Sequence, residues 1–427
     1  MGKIYLEKNV LDAFFERMEY VFDNFDNVYF SVSGGKDSSV MVQLANIVAK
    51  KKNKKYDVLF MDFEAQYSLT MQHIEELKQL SMIRKFYHCC LEWNEDNGVS
   101  MFDPEWITWD HTKKELWVRE MPTGAEIINR DNCPFDFYFD GMEDFDFTKL
   151  FSKWYQEHHG GTVAVGVGIR SDESLNRFRT IAQSKKETYN NLNWTTKICD
   201  NVYNFYPLYD WRTEDVWGAV AKYDLMFNEV YELMYKNGLS IHEQRLCQPF
   251  GLDQRQGLDQ FKAIEPETWE KLLNRVSGAN MGSLYCRTKL LGHLGTCKPK
   301  HMTWEEYSMF LLESIGLYSP EIMKHYSEKI ERTLYWHNVK KGNPVTDDDI
   351  EGTKGNADYC SWRLIAKAIE KNDFWFKSLY FAETKKGYEY LRQIQEKYNK
   401  IMDLVDIDEK VTKARGKLYG ENSENAE

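Results

Sequence analysis

The stretch FSVSGGKDSSVMVQLA, residues 30–45, limits the possible folds of this 427-residue chain more than any other. A β-prone run, Val28–Val32, stops at Ser33-Gly34-Gly35. From Asp37 to about Lys50 the apolar residues Val40, Leu44, Ile47 and Val48 then recur at helical spacing. Glycines between a strand and a helix permit positive φ and close approach of a ligand to the backbone. Several N–H groups then point the same way, and the helix N-terminus adds partial positive charge, so the loop suits a phosphate. Ser33, Ser38 and Ser39 can add hydroxyl donors and Lys36 a cation. The Walker form GxxxxGK[ST] is absent, because Phe30 stands five before Gly35, and GxGxxG is absent too. The plain alternative is an ordinary tight turn with Asp37 capping the helix.

Alternation continues through the first half. YDVLFMD (56–62) reads as a strand, Leu69, Ile74, Leu77 and Leu80 as a helix face, and FYHCCLEW and TVAVGVGI (162–169) as further strands. KKKNKK between the first helix and second strand reads as a solvated turn. Leu6, Val10, Phe14, Met18 and Phe22 form a helical stripe at the N-terminus. The pattern predicts βαβ units around a parallel sheet covered on both faces. Residues 1–220 are expected to form this α/β domain, interrupted at about 92–146 by an insertion whose segments Trp106–Trp109 and Leu116–Arg119 read as a β-hairpin. Residues 221–405 read as a helical extension, with 341–358 as a polar loop, and 406–427 as a disordered tail.

The second strand ends in Asp62 with Glu64 beyond it, where a parallel sheet offers its ligand crevice; capping of the next helix explains those acids equally well. GVGIRSDESLNRFR (166–179) follows another strand and brings Gly168, Arg170, Glu173, Arg177 and Arg179 to the same sheet edge. Arginines there suit phosphate or sulfate, although Glu173 and Arg177 at i, i+4 also make an ordinary helix-face ion pair.

Composition removes several classes. With 55 basic and 67 acidic residues the formal charge is −12, which disfavours nucleic-acid binding by general charge. No run approaches membrane-spanning length and the N-terminus lacks a signal peptide's apolar core, so a cytoplasmic protein is expected. The eight cysteines contain no CxxC pair. His88 and Cys90 share one strand face, and Cys286, His293 and Cys297 lie within one region, but neither group offers the usual four zinc ligands, and packing roles are favoured.

Ser33-Gly34-Gly35-Lys36-Asp37-Ser38 resembles the SGGxDS pyrophosphate (PP) loop of the adenine nucleotide α-hydrolase families, which include phosphoadenosine-phosphosulfate (PAPS) reductases. YPLYDWRTEDVW (206–217) is similar to the PL-x-x-W-x-x-x-D-V-W segment of those reductases. RLCQPFGLDQR (245–255), RVSGANMGSLY (275–285), WITWDHTKKELWVREMP, TWEEYSMFLL (303–312) and SWRLIAKAIEKNDFWFKSLYF resemble the immunoglobulin-binding-regulator A group of this family. The resemblance implies ATP or a PAPS-like adenine nucleotide as ligand and ATP cleavage between the α and β phosphates. It implies Mg2+ held with the help of Asp37, catalytic roles for Lys36, Asp37 and Arg170, and a nucleotide site of Ser33, Gly34, Gly35, Lys36, Asp37, Ser38, Asp62, Glu64, Gly168, Arg170 and Arg177. A transcriptional role beside a ParB-like partner, or a part in DNA modification, is the alternative the group implies. A true PAPS reductase needs an ECGxH-like motif that is missing, and an iron–sulfur cluster needs a later CxxC that is also missing.

Overall fold

The computed structural model describes residues 6–404 except 101–102, 184, 247–249, 251–256, 286–297, 318, 352, 354–355 and 383. The chain divides into two compact units, Met1–Asn97 with Glu105–Cys286, and Gly98–Pro104 with Arg287–Glu427.

The first unit is an α/β fold. Its strands are β1 (Asn27–Ser31), β2 (Tyr56–Met61), β3 (Ile83–Cys90), β4 (Trp93–Asp96), β5 (Glu105–Ile107), β6 (Ile127–Asn129), β7 (Met142–Glu143), β8 (Val163–Val167), β9 (Thr195–Cys199) and β10 (Val202–Phe205). Seven of them form one sheet in the order β6-β3-β2-β1-β8-β10-β9, and β5-β4-β7 form a small second sheet. Every pairing in the large sheet is parallel except β10 with β9. The helices are α1 (Val10–Asn24), α2 (Lys36–Lys52), α3 (Ser68–Leu77), α4 (Asp144–His159), α5 (Leu175–Ala182), α6 (Thr213–Tyr223), α7 (Val230–Lys236), α8 (Leu258–Ile264), α9 (Pro266–Arg275) and α10 (Ala279–Tyr285).

Strand alternation sends Phe30, Val58 and Phe60 to one face, where they pack with Phe14 and Met18 of α1 and Met41 and Leu44 of α2. Tyr29, Leu59 and Tyr87 go to the other face and meet Phe147, Phe151 and Tyr155 of α4. Each such buried side chain contributes about 1.5–3 kcal/mol. Between β1 and β10 there is room for a glycine only. A Cβ on Gly166 of β8 would lie 2.3 Å from a Phe30 ring carbon and 3.0 Å from Phe205. Gly166→Ala is therefore expected to cost about 1–3 kcal/mol of stability, measured by urea denaturation; an unchanged midpoint would show that the rings yield freely.

Three expectations change. Leu6 lies before the N-terminal helix, which Asn9 caps through its side chain, and is 78% exposed. The lysine-rich turn is the end of α2, closed by Asn53 in the left-handed region. No hairpin forms within 106–119: β5 pairs with β4 instead, and His111–Leu116 is a short 3-10 helix. The antiparallel edge pair β9–β10 has no clear sequence signal, because its residues, TTKICDNVYNF, carry little apolar alternation.

The second unit is helical: α11 (Trp304–Gly316), α12 (Pro320–Leu334), α13 (Trp362–Glu370) and α14 (Lys385–Leu404). Thr303 and Glu306 form a capping box for α11, and Ser319 and Ser361 cap α12 and α13. Ile322, Tyr326, Ile365, Ile369 and Phe376 fill its core. The tail, 406–427, lies outside the described residues. Among the described residues no helix is long and apolar enough to cross a membrane.

Candidate functional site

Strand order reverses at β1, which lies between β2 and β8, and ligands of open parallel sheets bind outside such a switch point. Both sequence-selected anion segments emerge there. Gly34 has φ 73°, and a Cβ on it would stand 2.8 Å from Thr70 Cγ2. Gly35 is the N-cap of α2 and supplies no side-chain cap, so the helix start keeps donors that a ligand can use. Ser38 Oγ accepts the Ser33 N–H at 3.2 Å and holds the loop closed on itself. At the end of β8, a Cβ on Gly168 would lie 3.0 Å from both Cα and N of Ser38, so the two segments touch through their backbones.

That contact delivers Arg170 to the loop. Its Nε donates to Asp37 Oδ1 at 2.5 Å, and the side chain is buried. Arg170 Nη1 is buried without a hydrogen-bond partner among the described residues, with Asp172 Oδ2 3.9 Å away. Lys36 is also buried; its Nζ lies 3.6 Å from Asp37 Oδ2 and donates to the Gln244 carbonyl at 3.0 Å. Burial pulls the Lys36 ammonium below its usual range; Asp37 opposes that pull, and Arg170 adds to it. Two buried cations thus meet at Asp37, with the more exposed Asp172 beside Arg170, and the unsatisfied guanidinium N–H can take an added anion. Asp37 serves those cations rather than standing free for a metal ion.

Sequence reasoning missed what covers the loop. Tyr231 of α7 accepts the Lys36 N–H on its hydroxyl at 3.0 Å. Asn228 Nδ2 donates to the Gly34 carbonyl at 3.1 Å and to Thr70 Oγ1 at 2.9 Å. Nothing in FNEVYELMY marks these residues beyond an ordinary helix pattern. Beside the loop is a cleft of about 250 Å³, lined by Ser33, Phe63, Gln66, Tyr67, Asp144 and Phe261 among others. Tyr67 and Phe261 stack with centroids 4.1 Å apart and planes at 16°.

Arg177, Asp62 and Glu64 are engaged elsewhere. Arg177 of α5 pairs with Glu173, which lies just before that helix, and Arg245 holds the Glu173 carbonyl at 2.8 Å. Glu64 is fully buried and takes a bidentate grip from Arg275 of α9, with Nε–Oε1 2.8 Å and Nη2–Oε2 2.9 Å. It also accepts the Trp109 N–H at 2.6 Å and the Val118 N–H at 3.1 Å. Asp62 pairs with Arg119, accepts from His88 Nε2 at 3.0 Å, and lies 3.5 Å from Cys90 Sγ. Burial raises the Asp62 carboxyl pKa, but Arg119 and His88 outweigh it and hold the group at about 2. These two acids anchor the insertion and α9 to the end of β2. Cys247, Cys286, His293 and Cys297 lie outside the described residues.

Residues 27–237 match the phosphoadenosine phosphosulfate reductase domain, and residues 238–351 match a domain of unknown function, DUF3440. Over 394 residues the chain is 37% identical to the uncharacterized protein YbdN of Escherichia coli (strain K12), covering 91% of this chain and 94% of that protein. The chain belongs to one family with YbdN, and its residues 27–237 form a PAPS reductase-like domain. Among solved structures, the PAPS reductase of Candida auris in a phosphate complex is 14% identical, covering 55% of this chain and 95% of that one, with TM-score 0.28. The FMN adenylyltransferase of Candida glabrata in complex with ATP is also 14% identical, over 54% and 62% of the two chains, with TM-score 0.29. Likenesses this slight add nothing to the chemistry. What the family adds is a continuous relationship through both the α/β and the helical regions.

Proposed function

We propose that the chain binds ATP or a related adenine nucleotide with its phosphates over Ser33–Ser38, and cleaves ATP between the α and β phosphates to adenylate a second substrate. The observation that carries this reading is the meeting of Lys36, Asp37 and Arg170 at the switch point, with an unsatisfied buried guanidinium N–H among them. An acceptor oxygen would attack the α phosphorus while the bond to the β-phosphate oxygen breaks. Pyrophosphate leaves with that electron pair, and the acceptor's proton passes to solvent. The N-terminus of α2, Lys36 and Arg170 stabilise the growing charge on pyrophosphate, and Asp37 positions both cations. The cleft beside Ser33 takes the nucleoside, with Tyr67 and Phe261 as its aromatic wall. Arg177 would add a phosphate contact on releasing Glu173, whereas Asp62 and Glu64 support the wall.

The test is α-labelled ATP incubated with the purified chain, magnesium and a small-molecule extract. Label in an adenylylated product, or in AMP where water then splits that product, with matching pyrophosphate is expected; ADP would overturn the reading. Binding without turnover would favour the regulator reading beside a ParB-like partner, in which displacement of Tyr231 and Gln244 from the loop is the signal. PAPS with a thioredoxin system is expected to yield no sulfite. Cys89, Cys90 and Cys360 are buried and Cys133 and Cys199 half-buried. Burial raises all five thiols, Cys360 to about 12.

Tyr231→Phe should bind inorganic pyrophosphate several-fold more tightly, because the phenol oxygen no longer occupies the Lys36 N–H; one neutral hydrogen bond is worth about 1 kcal/mol. Calorimetric titration decides it. Weaker binding would make Tyr231 a ligand instead of a cover.

A further inference from the structure

We propose that Asp62, His88 and Cys90 form a divalent metal site of the zinc class, with its fourth position open to a cavity on the insertion side of the sheet. The three donor atoms all lie within 4.8 Å of one another, and all three residues are buried. The individual edges are 3.0 Å from Asp62 Oδ2 to His88 Nε2 and 3.5 Å from Asp62 Oδ2 to Cys90 Sγ. Zinc bonds of about 2.0–2.3 Å at tetrahedral angles set donor–donor edges of about 3.3–3.6 Å. Two edges thus lie within about 0.3 Å of those of a zinc tetrahedron, and the third, His88 to Cys90, is no longer than 4.8 Å. A carboxylate, an imidazole and a thiolate are also a donor set that zinc accepts.

The donors sit on rigid elements. His88 and Cys90 are i, i+2 on β3, so they share a face, and β2, whose end carries Asp62, pairs with β3 in the register Phe60 to His88. The Phe60 ring packs edge-on against His88 at 5.0 Å and makes an apolar wall. Present contacts are those of the protonated donor set, with His88 N–H and Cys90 S–H both aimed at one carboxylate oxygen. An ion would replace both: the thiol proton goes to solvent, the imidazole proton moves to Nδ1, which is buried without a partner among the described residues, and Asp62 keeps Arg119 on its other oxygen.

Cys90 also lines a cavity of about 660 Å³ together with Glu92, Trp109, His111, Arg119 and Lys271. Three protein ligands and an open face are the pattern of a reactive rather than a purely structural zinc site. Asp62 and the Cys90 thiolate neutralise the ion, and the cavity lining balances Lys114, Arg119, Arg130 and Lys271 against four acids. A neutral oxygen donor such as water therefore suits the fourth position. This site stands apart from the glycine loop and does not depend on the nucleotide reading.

The full chain purified without chelators is expected to hold stoichiometric zinc by mass spectrometry. Exchange for Co2+ is expected to give an intense thiolate-to-cobalt charge-transfer band. Cys90→Ser and His88→Gln should each lose the band, whereas Gly35→Val and Cys360→Ser should keep it. Wild-type protein that takes up no metal and shows no band overturns the proposal without any variant. So does a band that survives Cys90→Ser. Near-UV circular dichroism on each variant separates loss of the site from loss of the fold.

Discussion

Gly35→Val is expected to lower ATP affinity at least about 100-fold, about 2.7 kcal/mol, in a protein that stays folded. Gly35 has φ −78° and ψ 158°, a conformation that any residue adopts, so the substitution does not strain the backbone. A Cβ there would meet only Ser33 Oγ and the Tyr231 hydroxyl, each at 3.3 Å. What the larger side chain fills is the space over the α2 N-terminus where phosphate oxygens would lie. The measurement is calorimetric titration with ATP, alongside the thermal unfolding midpoint. Undiminished affinity would remove the loop from the nucleotide site. Lost affinity together with a collapsed midpoint would mean only that the fold had failed, and Gly35→Ala, a smaller intrusion at the same point, would then decide.

The second large effect concerns stability. Glu64→Gln is expected to cost about 3–5 kcal/mol, the usual result of leaving one member of a buried ion pair without its partner. Arg275 and Glu64 have side chains only 1% and 0% exposed, so Arg275 would remain charged and buried with the Ile107 carbonyl as its principal acceptor. The Trp109 and Val118 N–H groups would share a weaker acceptor as well. Since whole domains are stable by about 5–15 kcal/mol, urea denaturation should show a much earlier midpoint. The double variant Glu64→Gln with Arg275→Met should recover part of the loss, because the orphaned charge is gone. A single variant within 1 kcal/mol of the parent would show that water reaches Arg275.

Glu64 also illustrates where sequence reasoning stops. Its place just past the end of a strand marks a ligand crevice and a helix cap equally, and its true partner, Arg275, is 211 residues away. Arg177 shows the reverse case. Its i, i+4 spacing from Glu173 announces a local pair, and that pair forms. The clustering of His88 and Cys90 on one face was legible from alternation, but the third member, Asp62, comes from the neighbouring strand and needs the β2–β3 register to be known.

Local chemistry therefore determined much by itself. The strand–SGGKDS–helix order sets the loop, alternation of apolar runs sets a parallel α/β sheet, and the motif spacing sets the family resemblance. These need only neighbours within a few residues, where propensity and periodicity act. Tertiary structure alone decided that Gly168 presses on Ser38 and carries Arg170 to Asp37, that Tyr231 and Gln244 close over Lys36, and that Asp62 and Glu64 are consumed by arginines from distant segments. The reason is that a buried charge must find its counter-charge wherever the fold brings one within about 3 Å. No periodicity in the chain encodes which distant arginine, tyrosine or carbonyl that will be.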